Sequence, residues 1–243
     1  MAALFSSLYR ATALSFFVYI FHYTILVFNG DKKFTLDNVI ALLRFLTCLT
    51  MLLQIVYYAL ATPLQYCKAL KWHSALYSVT LTANLVVCVL FWSIFMIDKG
   101  LLVKPSEMKM KTLPSWYNHS CHSAGSLAII LDALLWKPTS VPVRRAVLMV
   151  VAYFGSYLIY VEFLIRMHNL YPYPILANFS EAGRFGFYGA VMIGIALCFG
   201  VSLLVVRFMN KTHKKGAAKS QPRGEKKETV SFHSKQRKPK KAD

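Results

Sequence analysis

Long apolar runs dominate this chain of 243 residues and constrain its fold more than any other feature. Six of them cover approximately residues 4–28, 39–61, 75–97, 116–136, 143–165 and 185–208. Each is close to the ~20 residues that an α-helix needs to cross the hydrocarbon core of a bilayer. Within that core a segment must satisfy its own backbone hydrogen bonds, which favours helices. The pattern predicts an all-α, polytopic membrane protein with six transmembrane helices.

The charge of the chain is unevenly distributed. Only 16% of the residues are charged and 56% are hydrophobic, which excludes an ordinary soluble domain. The formal net charge is +18, and +10 of it comes from the segment that begins at Arg207. We therefore predict two regions, a six-helix transmembrane domain over residues 1–209 and a disordered, basic, cytosolic tail over residues 210–243.

The basic tail also predicts an orientation and a location. Six spans place both termini on one side, and Lys and Arg flanking a span prefer the cytosol. Lys240 and Lys241 are fourth and third from the C-terminus and resemble a dilysine retrieval signal of the endoplasmic reticulum, which is read by a receptor. Nucleic-acid binding is not expected, because Phe232 is the only aromatic residue of the tail and no base-reading fold accompanies it.

Several kinds of site are not indicated. The five cysteines contain no CxxC pair, and most lie within apolar runs as packing residues. His119 and His122 have the spacing of two metal ligands on one helix, but a stable site needs a third or fourth ligand. A metal oxidoreductase is therefore the less favoured alternative, and no cofactor is expected. No nucleophile elbow, phosphate-binding loop or dinucleotide fingerprint occurs.

Two polar residues are expected at similar depth below one membrane face. Trp116 and Trp136 mark the two ends of the fourth run, and His122 lies ~9 Å inside it. Thr47 lies ~12 Å inside the second run. The second and fourth spans run in the same direction, so both residues approach the same face. An intramembrane titratable residue indicates a functional site, and we predict a pocket that opens to one leaflet.

Other polar residues gather at the same end of the predicted bundle. Arg44 precedes Thr47 by three residues and is expected on the same helix face, while Glu162 and Arg166 form an i,i+4 pair. The residues predicted to bind substrate are Arg44, Asn118, His119, Glu162, Arg166 and Arg184. Asp132 falls towards the opposite end, and we assign it to an ion pair near the membrane surface with Lys137, Arg144 or Arg145.

A purely structural interpretation of these residues is the alternative. An intramembrane Thr usually donates its hydroxyl to the carbonyl four residues earlier, and Thr50, Thr80 and Thr82 are expected to do so. The Glu162–Arg166 pair is equally compatible with a role in joining helices.

Two short motifs carry a resemblance to a known family. Arg44-Phe45-Leu46-Thr47 and the stretch from Trp116 to Ser123 (WYNHSCHS) resemble the two motifs of the androgen-induced gene family, and Tyr173-Pro174 is a weaker third match. The resemblance covers approximately residues 1–209. In this chain Tyr117 replaces a Leu and Ser123 replaces a Thr of the second motif.

The resemblance implies a multipass hydrolase of fatty acid esters of hydroxy fatty acids. The family's nucleophilic Thr and its second, essential His correspond to Thr47 and His122. The expected chemistry is attack by Thr47 with His122 as the base, and Glu162 or a backbone carbonyl orients the His. Asn118 and His119 are the candidate oxyanion donors. The alternative from a different class is a non-enzymatic lipid-binding or regulatory membrane protein.

Overall fold

The computed structural model describes residues 2–29, 36–102, 113–136 and 141–220, and the described residues contain helices and no β-strand. The α-helices are α1 (Ala2–Asn29), α2 (Leu36–Leu42), α3 (Leu46–Tyr66), α4 (Leu70–Ile97), α5 (Ser115–His122), α6 (Ala124–Leu135), α7 (Val143–His168), α8 (Pro174–Ala177) and α9 (Glu181–Ser220). A short 3-10 helix, Lys99–Leu101, follows α4.

Five of these helices are long and apolar enough to cross a membrane, namely α1, α3, α4, α7 and α9. A sixth apolar helix, α6, is shorter and follows α5 directly. The all-α, polytopic class predicted from the sequence is therefore confirmed. Two of the six predicted runs, the second and the fourth, are not single helices, because each is divided into two.

The second run is not one helix. It begins with the short helix α2, breaks at residues 43–45 and continues as α3 from Leu46. The expectation that Arg44 shares a helix face with Thr47 is therefore wrong, because Arg44 lies in the break. The break contains no Pro or Gly, and its backbone is held by residues from distant parts of the chain, as described below.

The fourth run is divided at Ser123 into α5 and α6. Ser123 has φ −120° and ψ −42°, and its carbonyl accepts only a long hydrogen bond, 3.4 Å from the Leu127 nitrogen. The Ser123 hydroxyl accepts a hydrogen bond from Trp92 of α4 at 2.9 Å. Beyond the junction, α6 approaches its neighbours so closely that a Cβ on Gly125 would lie 1.9 Å from the Asn84 side-chain oxygen.

The C-terminal helix extends past the predicted boundary at residue 209. Helix α9 continues to Ser220, in keeping with the high helix propensity of its Lys and Ala residues. Residues 221–243, with Lys240 and Lys241, lie outside the described part of the chain.

Helix α4 is the central helix of the bundle and packs against α3, α6, α7 and α9. Its buried face contains small polar residues, which permit close approach of neighbouring helices in a membrane. Thr80 and Thr82 donate to the carbonyls four residues earlier, as expected. Thr50 does not follow that expectation, because its hydroxyl is hydrogen-bonded to the Tyr153 hydroxyl at 2.9 Å.

A buried ion pair joins four helices at the end of the bundle where α4 begins. Arg10 of α1 donates to both carboxylate oxygens of Asp132 on α6, at 2.8 and 3.3 Å. Tyr57 of α3 also donates to Asp132, and the Tyr57 hydroxyl lies 3.4 Å from the imidazole of His73 on α4. All four side chains are at most 1% exposed. The predicted pairing of Asp132 with Lys137, Arg144 or Arg145 is therefore wrong for the two arginines, and Lys137 lies outside the described residues.

Removal of the Asp132 carboxylate should destabilise the bundle strongly. Asp132→Ala leaves the Arg10 guanidinium buried without a counter-ion, and we expect the free energy of unfolding to fall by ~3–5 kcal/mol. The measurement is unfolding of the full chain in detergent micelles. The double variant Arg10→Met/Asp132→Leu should be more stable than Asp132→Ala, because no buried charge remains.

The matched control is Asp37→Ala, which removes an exposed carboxylate from α2. We expect that change to stay within ~0.5 kcal/mol of the original chain. Equal stability of the Asp132→Ala and Asp37→Ala variants would show that the buried ion pair does not stabilise the bundle.

Candidate active site

A large apolar cavity lies at the end of the bundle opposite the buried ion pair. Its volume is about 450 Å³, within the range of sites that bind small molecules. Thr47 from the start of α3 and His122 from the end of α5 both line it. Thr47 and His122, which are predicted to lie at similar depth below one membrane face, thus line the same cavity. Most of the remaining wall is aliphatic or aromatic, including Phe45, Met51, Leu90, Phe91, Phe154 and Ile195.

Two tyrosines hold the break that precedes Thr47. The Tyr157 hydroxyl donates to the carbonyl of Arg44 at 3.0 Å, and the Leu46 backbone N–H donates to the Tyr173 hydroxyl at 2.8 Å. Non-helical backbone at membrane depth requires such partners, because lipid offers none. Tyr157 and Tyr173 therefore determine where α3 begins.

Tyr173 belongs to the loop before α8 and also shapes the cavity. Its ring packs edge-on against Phe45, with centroids 5.7 Å apart, and both residues line the wall. Burial raises the pKa of the Tyr173 phenol to about 12, so the hydroxyl remains neutral at physiological pH. The loop thus adds a polar anchor to the cavity without adding a charge.

The Thr47 hydroxyl differs from the other intramembrane threonines. Thr24, Thr80 and Thr82 each donate to the carbonyl four residues earlier, whereas Thr47 forms no side-chain hydrogen bond within the described part of the chain. Thr47 is half-buried and lies in the first turn of α3, where the helix dipole favours developing negative charge. Its hydroxyl is available for a partner in the cavity.

The imidazole of His122 is held in one orientation by two contacts. Its Nδ1 lies 2.9 Å from the Asn118 carbonyl oxygen, and its ring stacks on Phe91 at 3.4 Å with an interplanar angle of 6°. A carbonyl only accepts hydrogen bonds, so Nδ1 carries the proton and the neutral ring keeps a lone pair on Nε2. This is the tautomer that a general base requires.

The predicted substrate-binding residues occupy several different places. Asn118 lines the cavity, and it is the only one of the six to do so among the described lining residues. His119 is exposed and packs on Trp92 with ring centroids 4.9 Å apart. Arg44 places its guanidinium over the Phe45 ring, 4.8 Å from the centroid. Glu162 or a backbone carbonyl was predicted to orient His122, and the structure shows the carbonyl of Asn118 in contact with the imidazole.

The other three predicted residues form a cluster behind one wall of the cavity. Glu162 accepts from Arg166 at 3.2 Å, from Arg184 at 3.3 Å and from Tyr188 at 2.8 Å. Arg166 also contacts Glu181. The i,i+4 pair expected between Glu162 and Arg166 is present. Tyr188 also lines the cavity, so it joins this cluster to the cavity wall.

Two residues of the cavity lining, Tyr157 and Lys99, were not predicted from the sequence. Tyr157 lies within the fifth predicted run, and its need for a buried hydroxyl partner was the available signal. Lys99 lines the cavity just beyond the end of α4, and no motif marks it. Within the described ranges, no three His, Cys, Asp or Glu residues converge in a way that suits a metal ion.

Comparison with known proteins identifies relatives of this chain. A family model described as FAR-17a/AIG1-like protein matches residues 5–211. A UPF0641 membrane protein of Schizosaccharomyces pombe is 29% identical over 121 residues, which cover 49% of this chain and 53% of the relative. The chain thus aligns with about half the length of that curated relative. No solved structure matches significantly.

Loss of the Tyr173 hydroxyl should loosen the start of α3. Tyr173→Phe leaves the Leu46 N–H without its partner, and a buried unsatisfied donor costs ~1–3 kcal/mol. We expect faster amide hydrogen exchange at residues 46–48 and a lower free energy of unfolding by that amount. Hydrogen exchange read by mass spectrometry checks the first effect.

Tyr160→Phe is the matched control, since Tyr160 lies on α7 but not in the cavity wall. It should leave exchange at residues 46–48 unchanged. Unchanged exchange in Tyr173→Phe as well would show that the tyrosine does not hold the break.

Proposed function

The chain belongs to the FAR-17a/AIG1-like family, and on that premise we propose that it is a membrane-embedded hydrolase of lipid esters. The proposed substrates are fatty acid esters of hydroxy fatty acids, the class implied by the resemblance of its two motifs. Thr47 is the proposed nucleophile and His122 the proposed base.

One observation carries this proposal. A threonine whose hydroxyl has no helix partner and a histidine in the tautomer of a base line the same apolar cavity. Hydrolysis of an ester needs an activated nucleophile, a base and a stabilised oxyanion. A neutral His in a poorly hydrated site is suited to accept the proton of a weak nucleophile such as Thr.

The reaction proceeds in two halves. Thr47 Oγ attacks the ester carbonyl carbon while His122 Nε2 takes the hydroxyl proton. The tetrahedral intermediate collapses, the bond to the leaving oxygen breaks, and His122 returns the proton to release the hydroxy fatty acid. A water molecule, deprotonated by His122, then attacks the acyl-Thr47 ester and regenerates the hydroxyl with release of the fatty acid.

The oxyanion is stabilised by groups at the same end of the cavity. Asn118 lines the cavity, and its side-chain amide is the proposed hydrogen-bond donor to the oxyanion. The first turn of α3 adds the positive end of a helix dipole beside the reacting carbonyl. Removal of a single oxyanion donor typically costs ~10²–10³ in kcat, so Asn118 is a contributor of measurable size.

The apolar wall of the cavity suits the hydrocarbon of a lipid ester. Phenylalanine, leucine, isoleucine and valine side chains dominate the lining and bury hydrocarbon at a gain of ~0.8 kcal/mol per methylene. A lipid ester can thus bring its carbonyl to Thr47 and keep its chains out of water. This favours a lipid ester over a small water-soluble ester.

We further propose residence in the membrane of the endoplasmic reticulum with a cytosolic C-terminus. The support comes from the basic tail and from Lys240 and Lys241, which a retrieval receptor would read.

Hydrolysis should depend on both residues. Purified Thr47→Ala and His122→Ala variants, each still folded in detergent, are expected to lose ~100-fold or more of kcat on a fatty acid ester of a hydroxy fatty acid. The measurement is release of free fatty acid from mixed micelles.

Thr12→Ala and His22→Ala are the matched controls, because both residues are exposed on α1 and lie outside the cavity lining. They should retain the original rate. Full turnover in both Thr47→Ala and His122→Ala would rule out this pair as the catalytic residues. No hydrolysis by the original chain would favour the non-enzymatic alternative.

A further inference from the structure

The substrates of the proposed reaction carry a free carboxylate as well as the scissile ester, so the site needs a cationic partner for it. This inference rests on the proposed function. Arg44, Arg166 and Arg184, the three arginines predicted to bind substrate, do not line the cavity. Arg166 and Arg184 are already paired with Glu162, and Arg44 lies over the ring of Phe45.

Among the described lining residues, Lys99 is the one lysine. It is exposed and lies in the 3-10 helix immediately after α4, where Asp98 accepts a hydrogen bond from the Gly100 N–H at 2.8 Å. The Lys99 ammonium lies 4.8 Å from the centroid of Phe95, another lining residue. Its charge is thus held over the apolar wall at the mouth of the cavity.

The charges of the cavity lining also favour an anionic ligand at Lys99. None of the described lining residues is an Asp or Glu, and within the described ranges Lys99 forms no ion pair. A lysine stem packed on an apolar wall with its ammonium in the interface is a favourable arrangement for a carboxylate from a lipid.

The distance from Lys99 to the reacting pair leaves room for an alkyl chain. Phe91 stacks on His122, and Ile97, the last residue of α4, follows six positions after Phe91. That is ~9 Å along the helix axis, and Lys99 lies beyond it. The carboxylate and the ester of one molecule can therefore occupy the mouth and the interior together.

We propose that Lys99 binds the free carboxylate of the substrate and makes the site selective for acidic lipid esters over neutral ones.

The kinetic test compares a fatty acid ester of a hydroxy fatty acid with its methyl ester in zwitterionic vesicles. Lys99→Gln should lower kcat/KM for the free acid about tenfold, as expected for loss of a hydrogen bond to a charged group, mainly through KM. The methyl ester should be turned over within about twofold of the original rate. Lys99→Arg should restore most of the activity on the free acid, and Lys71→Gln, an exposed lysine outside the lining, should change neither rate.

Equal losses on the acid and the methyl ester would overturn the proposal, because a structural or membrane-surface role affects both.

A binding measurement separates failure of the Lys99 proposal from failure of the hydrolase itself. In the Thr47→Ala background, Lys99→Gln should weaken binding of the free acid about tenfold and leave the methyl ester unchanged. Lys99-dependent binding without hydrolysis by the original chain would exclude the hydrolase and retain the anchor. Hydrolysis with no dependence on Lys99 would exclude only the anchor.

Discussion

A broken helix at membrane depth is stable only if other residues satisfy the backbone groups that the break releases, and the site depends on that requirement. Tyr157 bonds to the backbone within the break, at Arg44, and Tyr173 bonds to the backbone just after it, at Leu46, the first residue of α3. Thr47 consequently lies in the first turn, where it lines the cavity and the helix dipole favours negative charge. An unbroken helix would instead place Thr47 in its interior, where a Thr usually bonds to its own backbone.

The two ends of the bundle use polar residues in different ways. At one end His73 is fully buried, stacks on Trp136 at 3.7 Å and contacts the Tyr57 hydroxyl next to the Arg10–Asp132 pair. At the other end His122 also stacks on an aromatic ring, but it borders a cavity. The first histidine is enclosed by protein and suits a structural role. His122 lines the cavity and keeps a lone pair on Nε2, which a general base needs in order to accept a proton.

Much of this organisation follows from sequence, and the exceptions have physical reasons. The apolar runs predict the long helices because length and hydropathy alone decide a span. Thr47 and His122 are predicted at a similar depth because their segments run in the same direction, and both residues line one cavity. The break at residues 43–45 contains no Pro or Gly, and the residues that bond to the backbone in and next to it, Tyr157 and Tyr173, lie more than 100 residues away. Asp132 was matched to nearby charges, whereas its partner Arg10 lies 122 positions away. Contacts of such separation leave no local pattern.

The central claim is that Thr47 is a nucleophile activated by His122. A long-chain fluorophosphonate tests it most directly, since attack by the activated hydroxyl displaces fluoride and leaves a stable phosphonyl ester. The account predicts that peptide mass spectrometry finds this adduct on Thr47, and that His122→Ala abolishes it. An adduct on another residue, or none on a folded chain that hydrolyses lipid esters, would contradict the account.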